Sequence, residues 1–572
     1  MESIPRSEHP DPQLRRNEWI NLNGQWSFRF DFGASGIDRK FYSSGAWDRT
    51  ITVPFCPESI LSGIHHTDFV PMVWYRRTVT LEPERLTGRT LLHFGAVDYE
   101  ATVWINGQQA GTHRGGYTSF TLDVTRLAIA GENEIVVCAK DDNRSGCQPR
   151  GKQSEHFQSQ GCDYTRTTGI WQTVWLEFVP DAYLRRVEYY PNLASKTLTI
   201  RAFTEGSGVL SAEAFYEGRS CGRAETAANG LAILTLPLSE LHIWEAGAGR
   251  LYDLELRFGE DRVSSYFGMR EICLDGERVL LNGKPLFQRL VLDQGYYPDG
   301  VYTAPSDADL IRDIEIAQQA GFNGARLHQK VFEPRFLYHC DRMGYLVWGE
   351  YGSWGIDHSE PASLERFLPE WMEAVERDIS HPSIIAWCPF NETWNVNGRQ
   401  QDNALLKTVW QVTKKLDPTR PCIDTSGHFH VATDIFDMHD YEQDPSVLRE
   451  KYRGFAEGGR LSETFPERQS RSGSEPVLLS EYGGIKWDPG AADGEGWGYG
   501  TGPKTEEEFL SRYQGLTDAL LDDPHMCGFC YTQLYDVEQE RNGLYTYERK
   551  PKFDMRIIRK INTRKAEMEE IE

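Results

Sequence analysis

The sequence predicts a multidomain protein made of an N-terminal jelly-roll β-sandwich, an immunoglobulin-like β-sandwich and a C-terminal (β/α)8 TIM barrel. Three observations carry this. From Trp19 to about Pro180 the chain is strand after strand with turns between and no helical periodicity. Shorter alternating strands follow from 183 to about 271. Beyond Leu274, strand-like runs alternate with amphipathic helical runs, which is the rhythm of βα units. At 572 residues the chain exceeds what one core supports, and the changes of rhythm place domain boundaries at 1–182, 183–271 and 272–572.

In the first region the runs INLNGQWSFRFD, VWYRRTVTLE, RTLLHFGAV, EATVWINGQQAG, FTLDVT, NEIVVCAKDD and WQTVWLEFV alternate apolar with polar residues. Asn-Gly at 23–24 and at 106–107 marks hairpin turns. The second region contributes YLRRVEYYPN, KTLTIRAFTEG, GVLSAEAFYEG, GLAILTLPL and LYDLELRFGE, short strands that suit an immunoglobulin-like sandwich. In the third, Ser306 followed by Asp309 opens an amphipathic helix that ends at Gly321. Eight strand candidates then fill about 300 residues, the size of a (β/α)8 barrel. Two of them end in a single acid. Ile384–Asn395 reads IIAWCPFNETWN and places Glu392 at the end of strand four; Pro476–Gly484 places Glu481 at the end of strand seven. The carboxyl ends of barrel strands carry the chemistry, and a pair of carboxyl groups there suits glycoside hydrolysis. The glycine-rich stretch from Gly484 to Pro503 is expected to border that site.

Bulk properties exclude several classes. The net charge is −24 with no basic block, which argues against nucleic acid and anionic membranes and fits neutral substrates better than polyanions. No apolar run is long enough to cross a bilayer, and the amino-terminal stretch lacks an apolar core after its charges, so cytoplasmic residence is expected. Eleven cysteines read as reduced thiols, with Cys527 and Cys530 packing inside a strand.

The chain resembles glycoside hydrolase family 2 over nearly its whole length. The likeness runs through WINLNGQWSF, VWYRR, ATVWINGQQAGTHRGGYTSF, GIWQTVWLE, LNGKPLFQR, GFNGARLHQK, FNETW, LLSEYGG and YTQLYDVEQERNGLYTYERKPK. It implies a retaining, exo-acting hydrolase of glycosides or oligosaccharides. Glu392 is then the general acid and base, Glu481 the nucleophile, and Asn391 the residue that holds the sugar 2-hydroxyl. A hydrophobic site and a neighbouring carboxylate are expected to keep the Glu392 proton in place. His328, His439 and Tyr441 are expected at the same rim, in places where family members bind the sugar or the nucleophile. Trp394 and Tyr531 offer aromatic faces, Arg289 and Arg326 offer cations, and Asp293 and Glu350 are further rim acids. Glucuronidase members carry an Asn-x-Lys pair after strand eight that binds the uronate carboxylate. Here the corresponding stretch holds Asn542-Gly-Leu544 beside the acidic DVEQE. That departure lowers β-glucuronidase and favours a β-galactosidase-like activity on a neutral sugar, with arabinofuranosidase or galactofuranosidase, β-mannosidase and β-glucuronidase as the alternatives. An inactive carbohydrate-binding protein is the non-enzyme alternative. The resemblance also implies a homo-oligomer. No cofactor and no metal are expected: His428-Phe-His430 could hold an ion, but the glutamate that metal-binding relatives carry upstream is not recognisable in CIDTSGHFH.

Overall fold

The structure, a computed structural model, describes residues 4–469, 471–490 and 496–570. Residues 491–495, part of the glycine-rich stretch expected to border the site, lie outside the described residues. The first region forms two antiparallel sheets. One has four strands in the order Trp19–Asn21, Val174–Val179, Arg89–Phe94, Phe120–Asp123. The other has six, in the order Arg49–Val53, Gly24–Phe30, Met72–Leu81, Gly131–Lys140, Glu100–Ile105, Gln108–Arg114. Period-two alternation along Gly131–Lys140 sends Ile135, Val137 and Ala139 into the core between the sheets. Val136 and Cys138 face a second cluster with Trp74 and Trp104, so this central strand is apolar on both faces.

The second region differs from its reading in one respect. KTLTIRAFTEG and GVLSAEAFYEG are not two strands but one strand of 20 residues, Thr197–Tyr216. Its first half pairs with Tyr183–Asn192, its second half with Tyr252–Phe258, and Arg219–Pro237 pairs along both halves. The register shift between Phe203 and Ser207 bends it at Gly206, whose φ of +77° is open to glycine. The sequence breaks at Glu205-Gly206 as a turn would, and sheet pairing carries the strand through. The resulting sheet folds over a core of Leu198, Ile200, Leu254, Phe258 and Phe267.

The barrel strands are β1 (Gln288–Asp293), β2 (Gly324–Leu327), β3 (Leu346–Glu350), β4 (Ile384–Cys388), β5 (Thr425–Ser426), β6 (Phe436–Asp440), β7 (Val477–Gly483) and β8 (Met526–Thr532). Seven of them make one parallel sheet in the order β4-β3-β2-β1-β8-β7-β6. The two-residue β5 pairs in parallel with Phe390–Asn391, just past β4, which brings the fifth strand to the Glu392 end of the barrel. The strands are buried throughout apart from part-buried Arg289 and Gly349, as expected when helices cover the outside and side chains fill the inside. Helix α1 (Asp307–Gln319) begins where predicted, though Ser306 Oγ donates to Asp309 Oδ2 at 2.6 Å instead of capping a backbone N–H.

The sandwiches are tied to the barrel by buried polar contacts. Glu370, on the helix after β3, accepts from the backbone N–H groups of Tyr117 and Thr118 in the jelly roll, at 2.5 and 3.2 Å, and from Tyr351 at 2.6 Å. Arg16 joins the two sandwiches. Its Nε and Nη2 donate to the carboxylate of Asp261 at 2.9 and 3.0 Å, and its Nη1 donates to Glu177 at 2.9 Å. All three side chains are nearly inaccessible. Removing the guanidinium takes the arginine partner from two buried carboxylates, leaving Asp261 the Leu184 N–H at 2.8 Å and Glu177 the rings of His9 and His93, so Arg16→Ala is expected to destabilise the sandwich region by about 3 kcal/mol. Chemical denaturation followed by tryptophan fluorescence checks this; a loss under about 1 kcal/mol would show that the carboxylates find other partners.

Candidate active site

At the carboxyl end of the barrel the chemistry gathers around Arg326, the third residue of β2, which is wholly inaccessible. Its Nε and Nη2 donate to Glu350 Oε2 at 3.1 and 2.8 Å. Nη2 also donates to Asn391 Oδ1 at 3.0 Å, and Nη1 donates to the Ser480 carbonyl at 2.8 Å and to Glu481 Oε1 at 3.1 Å. One cation thus fixes residues from β3, from the Phe390–Asn391 strand just past β4, and from β7. Burial works against the charge of Glu350, but Arg326 and His328 outweigh it and hold its carboxyl at about 2. His328 Nδ1 lies 2.8 Å from Glu350 Oε1, and burial lowers the imidazole below its ordinary value.

Asn391 is held on three sides: Oδ1 by Arg326, its N–H by Ser353 Oγ at 3.2 Å, and its carbonyl by Trp354 Nε1 at 3.0 Å. Its Nδ2 has no protein partner among the described residues and is free to donate to a ligand hydroxyl. Glu392 follows with φ of +42°, a left-handed conformation that a non-glycine residue adopts only when held. It is held by its N–H to Ser426 O at 3.0 Å and by its carbonyl, which accepts from Trp394 N at 2.8 Å.

The two strand-end acids meet across one histidine. His439 Nδ1 lies 2.7 Å from Glu392 Oε1, and its Nε2 lies 3.4 Å from Glu481 Oε1 and 3.1 Å from Ser426 Oγ. Ligand-bearing atoms of Glu392, His439 and Glu481 all fall within 4.8 Å of one another. Glu481 is further oriented by the Tyr441 hydroxyl, which donates to Oε2 and lies 3.2 Å from Thr532 Oγ1. Tyr441 stacks on Tyr499 with centroids 3.3 Å apart.

This geometry revises the expected proton location. Burial does push the Glu392 carboxyl upward, but the hydrogen bond and charge of His439 overcome it and hold the group below the usual carboxylate range. Burial likewise lowers His439, and Glu481 and Glu392 together overcome that and raise it. The charges around the pair thus favour a proton on His439 over one on Glu392.

The remaining sequence candidates divide. Trp394 is half exposed at the mouth, its Nε1 donating to Glu392 Oε2 at 3.2 Å, and it meets His428 edge to face. Burial leaves His428 neutral, at about 3, whereas His430, between Asp424 and Asp437, is raised to about 10 against its burial. Asp293 is bound by Tyr535 and the Gly295 N–H, away from Glu481. Two assignments are corrected. Arg289 sits at the amino end of β1 and points to the far side of the barrel, where it donates to the Asn562 and Arg564 carbonyls and pairs with Glu569 at 2.7 Å. Tyr531 faces outward from β8 and packs between Tyr482 and Tyr513 of helix Glu506–Leu521, so it offers no face to the lumen.

Sequence reasoning missed the jelly roll's part in the site. Arg150 N donates to the Trp354 carbonyl at 2.7 Å and Gly151 N to the Gly352 carbonyl at 3.2 Å, so this loop is stitched to the loop after β3. It brings Lys152 to within 4.1 Å of the Trp354 ring centroid. Tyr164 of the same domain donates to Glu540, a buried carboxylate after β8 that also accepts from Asn542 Nδ2 at 2.9 Å. No local signal marks these residues.

The profile "Glycosyl hydrolases family 2, sugar binding domain" matches residues 20–180, and "Glycosyl hydrolases family 2, TIM barrel domain" matches residues 273–565. Among curated relatives, the β-glucuronidase of Sus scrofa is 23% identical over 96% of this chain and 91% of its own length. That of Felis catus is 24% identical over 82% and 78%. The β-galactosidase of Pseudoalteromonas haloplanktis is 25% identical over 72% of this chain but only 40% of its own. Two solved structures share the fold: an uncultured Clostridium sp. β-glucuronidase (TM-score 0.81, 21% identity, 96% and 99% coverage) and the Ruminococcus gnavus β-glucuronidase in complex with D-glucuronic acid (TM-score 0.80, 17% identity, 98% and 100%). With both profiles matched in order and the barrel profile alone spanning more than half of the sequence, the chain belongs to glycosyl hydrolase family 2 and is a glycosidase that hydrolyses O-glycosyl bonds.

Proposed function

We propose that the protein is a retaining, exo-acting β-glycosidase whose substrate is a β-glucuronide. The observation that carries the mechanism is the closeness of the two acids. Carboxyl groups about 5 to 5.5 Å apart attack the sugar directly, whereas a separation of about 6.5 to 9.5 Å leaves room for an intervening water. One oxygen of Glu392 lies within 4.8 Å of one oxygen of Glu481, and both acids meet the same imidazole, which supports the first. Glu481, aimed by Arg326 and Tyr441, attacks the anomeric carbon. Glu392 gives a proton to the departing oxygen, drawing it from His439 along their 2.7 Å hydrogen bond. Glu392 then takes a proton from water in the second step.

The glucuronide displaces the galactoside that the sequence favoured because β-glucuronidases match the chain over most of both lengths, while the β-galactosidase match covers a minority of that protein. A neutral sugar stays as a second reading on one observation, the Glu540 carboxylate in the loop after β8. Burial pushes it up to about 7, with Lys152 pulling against that shift.

Glu481→Gln is expected to lose at least about a thousandfold in kcat on aryl β-glucuronides and to form no adduct with a 2-fluoro glucuronyl fluoride, whereas the wild type is labelled on Glu481. Glu392→Gln should lose about 100- to 10,000-fold on poor leaving groups and far less on activated phenols. Near wild-type turnover in either variant sinks the assignment.

The pH profile has a sign. A raised His439 keeps its proton through the ordinary imidazole range near 6.5 and loses it only as pH climbs past the raised value. The basic limb of kcat/KM should therefore lie above about 6.5, and His439→Asn should move it to lower pH with the largest loss on poor leaving groups. An unmoved limb in that variant would separate His439 from the proton path.

A further inference from the structure

The loop of the jelly roll that reaches the barrel delivers one cation, Lys152. Lys152 is only 6% exposed, yet among the described residues no carbonyl, hydroxyl or carboxylate lies within hydrogen-bonding or ion-pairing reach of its Nζ. An ammonium has three donors, and this Nζ is not among the fully buried unpaired atoms, so its donors stay open to water or to a ligand. Its one close contact is the face of Trp354, 4.1 Å to the centroid. The same indole donates its N–H to the carbonyl of Asn391, the residue next to Glu392, at 3.0 Å.

The placement is built and not incidental. Tyr164 N donates to the Lys152 carbonyl at 2.7 Å, and the Tyr164 hydroxyl is fixed on Glu540. On the other side Gly151, at φ of +57°, lets the loop press against the barrel so closely that a Cβ there would lie 2.2 Å from the Gln329 carbonyl. The loop thus sits in a slot where only glycine fits, and the cation is set between the strand-four end and the strand-eight loop.

We infer that Lys152 is the cation that recognises the carboxylate of a uronic sugar in this enzyme, supplied by the N-terminal domain in place of a lysine in the loop after β8. The inference rests on the glucuronide reading above. The position after β8 that the sequence comparison marked for such a lysine is Leu544, which is buried in the barrel core and cannot serve. Burial opposes the Lys152 charge, but the Coulombic pull of the groups around it, Glu540 and Glu481 among them, outweighs that and raises the ammonium above its ordinary value. A substrate carboxylate satisfies the unmatched donors with a charge-assisted hydrogen bond, while the hydroxymethyl group of a neutral hexose supplies a weaker, uncharged one.

The test compares p-nitrophenyl β-D-glucuronide with p-nitrophenyl β-D-glucoside, which differ only at the carboxylate, on wild type, Lys152→Met and Lys152→Arg. The ratio of kcat/KM for glucuronide over glucoside is expected to fall about 10- to 100-fold in Lys152→Met, mainly through KM on the glucuronide, and to recover most of that in Lys152→Arg. Competitive inhibition by D-glucuronate should weaken in parallel while inhibition by D-glucose does not. If Lys152→Met does not fold, Lys152→Gln carries the same comparison. Equal losses on both glycosides, or an unchanged ratio, would overturn the role of Lys152 and leave the glucuronide reading standing. A wild type that neither cleaves the glucuronide nor binds D-glucuronate would remove the glucuronide reading itself, and the Lys152 role with it.

Discussion

A guanidinium sealed inside a barrel is tolerable only when its donors are matched, and the matching of Arg326 organises this site. It makes five contacts to Glu350, Glu481, Asn391 and the Ser480 carbonyl, and it has no access to water. Taking a charge out of water costs several kcal/mol, which the interior returns only with near-complete pairing. The partners come from three different strands, so the requirement of one cation fixes the relative placement of Glu481 and of the asparagine beside Glu392. Arg326 never needs to touch substrate for this. It sets how far Glu481 stands from the Asn391-Glu392 turn, and that distance decides between direct attack and attack by water.

The same reasoning explains the strain at Glu392. The turn after β4 is pinned by Ser353, Trp354 and Ser426, which over-determine its backbone and hold a left-handed glutamate in place. His439 then occupies the gap between the acids. Two carboxylates this close repel one another strongly when both are ionised; an imidazolium between them permits both to carry charge before substrate arrives. That arrangement draws the proton toward His439, and on the proposed mechanism Glu392 receives it from there.

Much of the barrel was legible because its signals are local. Apolar runs that end in one acid, helices that end at glycine and Asn-Gly turns depend on neighbours a few residues away. What failed shares a different feature. Tyr531 lies in MCGFCYT, a strand apolar at every position, and a run without alternation cannot say which side chains face the lumen and which face the helices. Arg289 was placed on the right strand but at its wrong end, because the start of β1 is set by pairing with β2 and β8 and not by its own residues. The long strand Thr197–Tyr216 passed for two because a bent glycine inside a sheet looks like a turn until its partners are known. Glu392 and His439 are 47 positions apart, and only barrel closure makes them neighbours.

The contribution of the jelly roll was the least legible part, for a physical reason that bears on how such enzymes acquire specificity. A barrel of this kind carries its reacting groups on strand ends, where position is rigid and change is costly. Lys152 and Tyr164 approach from a separate domain, and the loop that carries Lys152 is held to the barrel by backbone hydrogen bonds at Gly352 and Trp354, beside side-chain contacts such as Tyr164 to Glu540 and Gln539 to the Gly161 and Asp163 carbonyls. Backbone contacts do not depend on side-chain identity. The docking loop can therefore exchange the residue it presents without disturbing Arg326, Glu392 or Glu481. On this arrangement the chemistry at the anomeric carbon is fixed by the barrel's buried charges, and the choice of group at the far side of the ring is written on a loop that the barrel holds by its main chain. On the proposed reading the amino-terminal domain is then part of the active site, because it supplies Lys152 against the indole that holds the Asn391 carbonyl.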